Sequence, residues 1–468
     1  MSNCGWLKDA VIYHIFLDRF AGFDKEKDDS KPERIGGNIR GIIKKIPYFK
    51  KLGVDCIWIS PFYKSTSYHG YDIEDFYKID ENVGTELDLK ELINKSHRNG
   101  IRVIADFVPN HCSVNHPFFV DAKNNASSKY KSWFYFKNWP NEYLCFLNWK
   151  NLPKINLNNK DAREYIINAA LYWLNLGLDG FRIDHAIGPE KDFLKELKIK
   201  VKGTLLIGEV WFFGINLEHA ETIKAIKIEE VMKKSLKNNT TIEDETIKQL
   251  DVLDGFLDFT FNSLLKDYLK GKYSGEEFFR KLELHYKSLD FLMPSFLDNH
   301  DMNRLIFELG KDKSLMKIAS VLQFSTSQPP IIYYGDETGL SQAISIEDMP
   351  VHGDLQARRR MNWEEIDEDL FKHYQRLCIL RKKIKALKTG EMKLVYADNK
   401  SRFLVFTKES EDRVLVILNP DNVKVTFNLE LKQINARYLI DLFENVKIDK
   451  EKMRMEIEPK SFKMFFLK

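Results

Sequence analysis

The sequence has few cysteines, and their arrangement excludes the protein classes that depend on them. Only five of the 468 residues are cysteine, namely Cys4, Cys56, Cys112, Cys145 and Cys378, and no two have the C-x-x-C spacing. An odd number of scattered cysteines indicates neither a disulfide framework nor a zinc site. A bridge between Cys112 and Cys145 is the one pairing left open, because both can lie in one subdomain.

An excess of one charge and a long apolar run are also missing. With 72 basic and 69 acidic residues the net charge is +3, so no strong field of one sign favours nucleic acid as a partner. No apolar run approaches the roughly 20 residues that cross a bilayer, and the first residues do not resemble a signal peptide. These absences predict a soluble, reduced, cytoplasmic protein with no membrane partner. A processed secreted form is the alternative, which the initial Met1 disfavours.

Strand-like and helix-like runs alternate along most of the sequence. The helix-like stretches 39–53 and 86–100 both end in glycine, the usual stop of a helix. Alternating strands and helices indicate a parallel sheet, and eight such units indicate an α/β protein with a closed (β/α)8 TIM barrel. The eight candidate strands are residues 11–16, 56–60, 102–108, 180–184, 204–210, 255–259, 294–300 and 330–335.

Two regions depart from this alternation. Residues 112–159 are rich in asparagine, aromatics and proline without a sustained period, which predicts an inserted lobe after strand 3. Beyond residue 386 the short alternating runs predict a C-terminal antiparallel β-sandwich domain. Those runs are residues 402–408, 413–419, 424–430 and 461–468. The predicted domains are the barrel (1–111 and 160–386), the lobe (112–159) and the C-terminal β domain (387–468).

Four short stretches each end an apolar run with acidic, asparagine or histidine side chains. They read DFVPNH (106–111), GFRIDH (180–185), IGEVW (207–211) and FLDNHD (296–301). Carboxylates are unfavourable inside a buried strand, so their repeated placement at strand ends predicts that several ends converge on one polar site. In a parallel barrel that site is the C-terminal face, where catalysis occurs. The sequence therefore predicts an enzyme built on paired carboxylates.

Two of these carboxylates, Asp184 and Glu209, suit the hydrolysis of a glycosidic bond. Cleavage with retention needs a nucleophilic carboxylate and a carboxylic acid about 5–5.5 Å apart, and neighbouring strand ends can provide that separation. Arg182 lies two residues before Asp184, on the same strand face, and is expected to keep that aspartate ionised. Glu209 lies between apolar residues, which raises the pKa of a carboxyl group and suits a proton donor. A purely structural Asp–Arg ion pair is the alternative interpretation.

The four stretches resemble, in order and at suitable intervals, four motifs of the α-amylase family of retaining α-glycoside hydrolases and transglycosylases. The resemblance implies that Asp184 is the nucleophile that forms the glycosyl-enzyme, that Glu209 is the acid/base, and that Asp301 binds sugar hydroxyls as a stabiliser. It also implies a substrate site lined by Tyr71, Asp72, His111, Arg182, His300, Asp354 and Arg358, with Tyr71 stacking on the sugar and Asp72 pairing with an arginine or a hydroxyl. Further matching segments are AVIYHIFLDRF (10–20), GVDCIWISPF (53–62), YHGYDIEDFYKIDENVGT (68–85), LPKIN (152–156), YYGDETGL (333–340) and GDLQARRRMNW (353–363).

The departures from the family pattern concern calcium and assembly. The lysine and histidine that often follow the nucleophile in secreted members are missing, since residues 186–188 read AIG. Asn110 is the remaining candidate calcium ligand, and Lys27 stands where a ligand of a second calcium loop is expected. No cofactor is therefore expected to be required, with Ca²⁺ at Asn110 as the alternative. LPKIN is nearest the neopullulanase, cyclomaltodextrinase and maltogenic amylase group, whose N-terminal β domain builds a dimer and narrows the site. Because the sequence starts at the first barrel strand, that domain is expected to be absent. This expectation favours an open cleft and a monomer, with a homodimer as the alternative.

Three functions follow from the resemblance. The first is a hydrolase of α-1,4 bonds in an α-glucan partner such as maltodextrin, starch or cyclodextrin. The second is an α-glucanotransferase or trehalose-forming enzyme of the same family. The third is a catalytically inactive carbohydrate-binding or transporter-associated relative, which the presence of Asp184, Glu209 and Asp301 disfavours.

Overall fold

The computed structural model describes residues 5–212, 220–238, 240–349 and 351–468, and these form an eight-stranded parallel barrel followed by an antiparallel β domain. The eight barrel strands are β1 (Ile12–Ile15), β2 (Cys56–Ile59), β3 (Arg102–Phe107), β4 (Gly180–Ile183), β5 (Leu205–Gly208), β6 (Gly255–Phe256), β7 (Ser295–Phe296) and β8 (Pro330–Tyr333). They neighbour one another in the order β6, β5, β4, β3, β2, β1, β8 and β7, and a parallel bridge from Gly255 to Leu292 closes the ring between β6 and β7. The predicted TIM barrel is confirmed.

Burial on both faces explains why these strands read as continuous apolar runs. Alternate residues such as Ile12, Cys56 and Ile104 fill the inside of the barrel, while Tyr13 and Ile57 pack outward in the core shared with the helices. The predicted strands are in the right places but too long. In the seventh, Asp298 has left the sheet and accepts a hydrogen bond from the Leu305 N–H at 2.6 Å.

Amphipathic helices surround the barrel. Helix Ile46–Leu52 ends at Gly53, whose φ of 98° requires a residue without a side chain, and helix Glu86–Arg98 starts with a Thr85–Asp88 capping box. The other α-helices are Leu17–Phe20, Ile39–Lys44, Pro117–Asn124, Lys160–Asn175, Lys191–Lys200, Ile228–Asn238, Ile242–Leu250, Phe259–Leu269, Gly275–Ser288, Leu305–Glu308, Lys313–Ser325, Glu368–Lys383 and Ala386–Thr389. None of the helices among the described residues is both long and apolar enough to span a membrane.

The segment between β3 and helix Lys160–Asn175 lies at the C-terminal end of the barrel. It contains helix Pro117–Asn124 and a hairpin of Phe136–Asn138 with Glu142–Tyr143. An antiparallel bridge from His111 to Lys154 joins it to the end of β3. The predicted lobe lies here, and its bounds as a domain stay a prediction. A second hairpin, Tyr63–Ser65 with Ile73–Ile79, follows β2.

The C-terminal β domain confirms the predicted antiparallel sandwich and adds strands that alternation alone did not predict. A six-stranded sheet has the order Glu391–Ala397, Leu404–Glu409, Arg413–Asn419, Ser461–Leu467, Leu439–Asp441 and Lys447–Ile448, and a second sheet pairs Val425–Glu430 with Lys452–Ile457. The facing sides share a core that includes Leu415, Leu429 and Phe465. Of the cysteines, Cys56, Cys112, Cys145 and Cys378 are free thiols, so the Cys112–Cys145 bridge is not formed, and Cys4 lies outside the described residues.

Candidate active site

The C-terminal ends of β3, β4 and β5 gather three carboxylates around one guanidinium. Arg182 on β4 is buried, and its Nη1 donates to Asp106 Oδ1 at 2.6 Å and to Asp184 Oδ1 at 2.8 Å. Its Nη2 donates to Glu209 Oε1. The parallel register places Asp106 beside Arg182 and Arg182 beside Ile207. Because side chains two residues apart share a strand face, Asp184 and Glu209 meet at the mouth of the barrel.

Aromatic side chains fix Asp106 from its other side. Trp58 Nε1 and Tyr71 OH each donate to Asp106 Oδ2 at 3.1 Å, and Tyr63 OH donates to the Asp106 carbonyl oxygen at 2.9 Å. Tyr71 OH also lies 2.8 Å from His300 Nε2, and the two rings are nearly parallel with centroids 5.5 Å apart. Since both carboxylate oxygens of Asp106 are bound by protein donors, this residue organises the site.

Asp184 and Glu209 are largely buried yet reach the surface, since each side chain is 10% exposed. Burial raises the pKa of Asp184 well above its ordinary value, against the lowering effect of Arg182, and the neighbouring carboxylates raise it further. Burial also raises the pKa of Glu209 against Arg182. The rise at Glu209 agrees with the expectation for a proton donor. At Asp184 the charge of Arg182 acts in the expected direction, because it lowers the pKa against the effect of burial. One guanidinium does not neutralise three carboxylates, so the cluster favours the retention of a proton.

The backbone after Asp184 is left-handed, which is unusual for a residue with a side chain. His185 has a φ of 44°. Its N–H donates to Glu209 Oε2 at 3.0 Å, and the Ala186 N–H donates to the Glu209 carbonyl oxygen at 2.9 Å. The strained turn therefore fixes the Glu209 carboxyl beside Asp184.

A second arginine organises the polar residues that follow β7. Arg358 donates from Nη2 to Asp301 Oδ1 at 2.8 Å and from Nε to the His300 carbonyl oxygen at 2.9 Å. Its Nη1 donates to Tyr68 OH at 2.9 Å and pairs with Asp354. Asp301 Oδ2 lies 3.1 Å from His300 Nε2, and the Asp301 side chain is 27% exposed. Burial, reinforced by the charge of Arg358, lowers the pKa of His300 well below its ordinary value, so the ring is neutral.

The loop after β3 holds Asn110 and His111 against the lobe. Burial lowers the pKa of His111 to about 3, and the charge of Lys154 adds to this effect. Asn110 Oδ1 accepts a hydrogen bond from Lys154 Nζ at 2.6 Å, and the same Nζ donates to the Gly188 carbonyl oxygen at 2.7 Å. Lys154 is fully buried, which lowers its pKa to about 7. Nζ therefore joins the lobe to the loops after β3 and β4.

This arrangement does not fit a calcium ion held by Asn110. Ca²⁺ takes six to eight oxygen ligands, usually including carboxylates. Here the side-chain oxygen of Asn110 and the nearby carbonyl of Gly188 both accept from an amine. Within residues 5–212, 220–238, 240–349 and 351–468, no three histidine, cysteine, aspartate or glutamate side chains are grouped so as to hold a metal ion. The residues present therefore disagree with the calcium alternative.

The sequence suggested a second calcium site in the loop after β1. In the structure, arginines bind the oxygens of this loop through hydrogen bonds and an ion pair. Arg360 Nη1 donates to the carbonyl oxygens of Lys25 and Lys27 at 2.5 and 3.0 Å. Asp29 Oδ1 pairs with Arg359 Nη2 at 2.7 Å, and Asp29 Oδ2 accepts from the Arg360 N–H at 2.8 Å. These oxygens hold the loop against the 353–363 segment.

Of the two partners expected for Asp72, an arginine and a sugar hydroxyl, the arginine pairing is not formed among the described residues, and the pairing with a sugar hydroxyl stays a prediction. Its carboxylate accepts hydrogen bonds from the Ser67 N–H at 3.2 and 3.3 Å and from Ser67 Oγ. No ion pair in the described part of the chain includes Asp72. Its contacts lie within the turn that joins Tyr63–Ser65 to Ile73–Ile79, so this aspartate closes the hairpin.

Similarity to known proteins identifies the family to which this barrel belongs. A model of the alpha amylase catalytic domain matches residues 14–367. The chain belongs to the α-amylase family. Alpha-amylase 2 of Dictyoglomus thermophilum is 39% identical over 433 residues, which cover 91% of this chain and 71% of that protein. A cyclomaltodextrinase of a Bacillus species is 33% identical over 443 residues, which cover 89% of this chain and 73% of that protein.

The solved structures agree with this membership. A cyclomaltodextrinase structure superimposes with a TM-score of 0.84 at 29% identity, covering 98% of this chain and 78% of that chain. The protein is therefore an α-amylase-family glycosidase of the cyclomaltodextrinase and maltogenic amylase type, and the resemblance drawn from the motifs is confirmed.

Several residues that shape the site were not predicted from sequence. His14 stacks on Trp58 with ring centroids 3.6 Å apart beneath the carboxylates. Strand alternation could have predicted that both side chains face the inside of the barrel, because each lies two residues after an inward-facing residue of its strand. Alternation could not have predicted the contacts of Tyr68, which binds Arg358, or those of Lys154. Neither residue lies on a barrel strand, and their partners are far away in sequence.

Proposed function

We propose that this chain is a retaining α-glucan hydrolase that cleaves α-1,4-glucosidic bonds of maltodextrin, starch or cyclodextrin. The observation that carries the proposal is the pairing of Asp184 and Glu209 on the two terminal nitrogens of Arg182, at a barrel mouth that solvent reaches. The names of the relatives support an α-glucan as the substrate.

Asp184 acts as the nucleophile. Its Oδ1 accepts from Arg182, and no hydrogen bond within the described ranges reaches its Oδ2, so that oxygen is available to attack the anomeric carbon. The new C–O bond forms as the glycosidic bond breaks, and Glu209 gives its proton to the departing oxygen. Glu209 then takes a proton from a water molecule whose oxygen bonds to the anomeric carbon. The bond to Asp184 breaks in the same step, so the sugar leaves with its original anomeric configuration.

The surrounding polar groups bind the sugar ring. Asp301 is held by Arg358 with its side chain partly exposed, which suits acceptance of hydrogen bonds from sugar hydroxyls. The neutral rings of His111 and His300 can donate or accept, since neither carries a proton on both nitrogens. The half-buried Tyr71 ring offers an apolar face to the C–H side of a glucose unit.

Product analysis with matched variants tests the proposal. Wild type incubated with maltoheptaose, β-cyclodextrin and pullulan is expected to release short oligosaccharides whose new reducing ends first appear in the α configuration by NMR. Asp184→Asn and Glu209→Gln are each expected to lower kcat/KM on maltoheptaose by about 100- to 10,000-fold while the protein stays folded. Glu196→Gln, a half-exposed carboxylate paired with Arg163, is the control and is expected to keep wild-type activity. Near wild-type activity in either site variant would overturn the assignment, and products longer than the substrate would indicate transfer.

A further inference from the structure

Lys154 is a buried amine with an unusual set of partners. The residue is fully buried, and its Nζ donates to Asn110 Oδ1 at 2.6 Å and to the Gly188 carbonyl oxygen at 2.7 Å. Both acceptors are uncharged, and no ion pair in the described chain involves Lys154. A buried lysine is usually paired with a carboxylate, so these contacts need another explanation.

The two acceptors are of the kind that a hard metal cation uses. Amide and backbone carbonyl oxygens bind Ca²⁺ at 2.3–2.6 Å, close to the distances at which Nζ lies from the same atoms. Gly188 is also tightly placed, since a Cβ built on it would lie 2.3 Å from Asn110 Oδ1 and 2.5 Å from His185 Cδ2. Gly188 therefore lies closer to Asn110 than a residue with a side chain could.

The position of Nζ links three parts of the active-site rim. The backbone of Lys154 belongs to the lobe and forms an antiparallel bridge with His111. Phe146, also in the lobe, packs its ring between those of His111 and His185, with centroids 4.9 and 4.8 Å away. Loss of the two Nζ hydrogen bonds would weaken the attachment of the lobe to both histidine-bearing loops at once.

We propose that the amine of Lys154 takes the place of a metal cation, and that this chain uses it to anchor the lobe to the loops after β3 and β4. Lys154 is then a positioning residue for His111 and His185, and the folded enzyme needs no calcium at this site. The proposal does not depend on the glycosidase assignment, because its test measures melting temperature and calcium binding.

The experiment compares wild type with Lys154→Met and Lys154→Asp by thermal unfolding in EDTA and in CaCl₂. Wild type is expected to melt within about 1 °C under both conditions. Lys154→Met keeps the length of the side chain but leaves two buried oxygens without a donor, so it is expected to melt roughly 4 °C lower or more in both conditions. Lys150→Met, at an exposed position of the same lobe, is the control and is expected to melt like wild type.

Lys154→Asp supplies the decisive readout. Its shorter carboxylate leaves room for an ion at the position of Nζ, so its melting temperature is expected to be low in EDTA and to rise by several degrees in millimolar CaCl₂, with calcium binding seen by calorimetry. A metal-stabilised wild type, or a Lys154→Met variant that melts like wild type, would overturn the proposal. Calcium that stabilises Lys154→Met as much as Lys154→Asp would also overturn it, and if Lys154→Asp does not fold, the wild-type and Lys154→Met results still decide.

Discussion

At the scale of the single residue, the active site depends most on Arg182. Its guanidinium contacts Asp106, Asp184 and Glu209, and it is almost fully buried. Without it, three carboxylates would face one another in a poorly solvated space. A buried charge left without its partner is strongly destabilising, typically by about 3–5 kcal/mol.

We predict that Arg182→Met lowers the free energy of unfolding by about 3 kcal/mol at pH 7 and removes measurable glycosidase activity. The sign of the pH dependence follows from the raised pKa values of Asp184 and Glu209. A carboxyl group whose pKa is higher in the folded state stabilises the fold below its unfolded value and loses that contribution as the pH rises through the folded value. Arg182 lowers the pKa values of Asp184 and Glu209 against the effect of burial. Its removal therefore raises both values further, and the loss of stability continues to higher pH.

The measurement is urea unfolding of both proteins between pH 5 and pH 9. The stability deficit of Arg182→Met is expected to grow as the pH increases. Arg163→Met, which removes a partly exposed arginine paired with Glu196, is the control and is expected to change stability by no more than about 1 kcal/mol. A deficit that shrinks with rising pH would contradict the electrostatic account.

The sequence predicted that the carboxylates converge on one site, but it predicted few of the contacts that hold them there. The motif around Asp184 and the strand spacing of Arg182 predicted their pairing, since that contact is local. The pairing of Arg358 with Asp301 and the binding of Asn110 by Lys154 join residues 57 and 44 positions apart. Such contacts depend on where the loops fold back over the barrel. The hydrophobic periodicity of a short stretch of sequence does not predict this.

At the scale of the secondary-structure element, a buried histidine connects three helices on the β6 side of the barrel. His285, on helix Gly275–Ser288, has Nε2 at 2.9 Å from Asp258 Oδ1 and Nδ1 at 3.1 Å from Asp244 Oδ1. Asp258 also caps helix Phe259–Leu269 by accepting from the Phe261 N–H at 2.8 Å. The two carboxylates outweigh burial and raise the pKa of His285 to about 10.

We predict that His285→Gln destabilises the fold by about 3 kcal/mol near pH 6, because the variant leaves two buried carboxylates without a cation. The stabilising effect of a raised histidine pKa is complete below the unfolded value of about 6.5 and is lost as the pH rises through the folded value. The difference in unfolding free energy between wild type and variant should therefore shrink between pH 7 and pH 10. Urea unfolding across this range tests it, and a difference independent of pH would contradict the charged pairing.

At the scale of the whole molecule, the barrel and the C-terminal β domain share one apolar core. Phe406, Val416 and Met464 of the β domain belong to the same buried cluster as the barrel helices, and Phe406 lies 6.2 Å, ring to ring, from Phe279 of helix Gly275–Ser288. On the other face of the sheet, Leu415 packs in the core of the sandwich.

This shared core predicts a single cooperative unfolding transition in scanning calorimetry. Phe406→Ala, which opens a cavity at the junction, is expected to lower the stability by about 3–5 kcal/mol and to shift that one transition to lower temperature. Leu415→Ala is the comparison within the β domain alone. Two separate transitions in wild type would show that the domains unfold independently and would contradict the prediction.

The alternation of buried strands and amphipathic helices was enough to predict the barrel, because each strand is covered on both faces. The β domain was harder. Glu391–Ala397 has no buried residue and Lys447–Ile448 has only two residues, so neither carries a clear alternating pattern. The neighbouring strands determine how these two strands pair, and the periodicity of the sequence does not predict that pairing.

The covalent role of Asp184 is tested most directly by intact-protein mass spectrometry of Glu209→Gln after reaction with α-maltosyl fluoride. Fluoride leaves without a proton donor, whereas release of the sugar needs the base that this variant lacks. The protein is expected to gain the mass of one maltosyl unit, carried by the peptide that contains Asp184, and Asp184→Asn is expected to gain none. An adduct on another residue, or the absence of any adduct while the fluoride is consumed, would contradict the account.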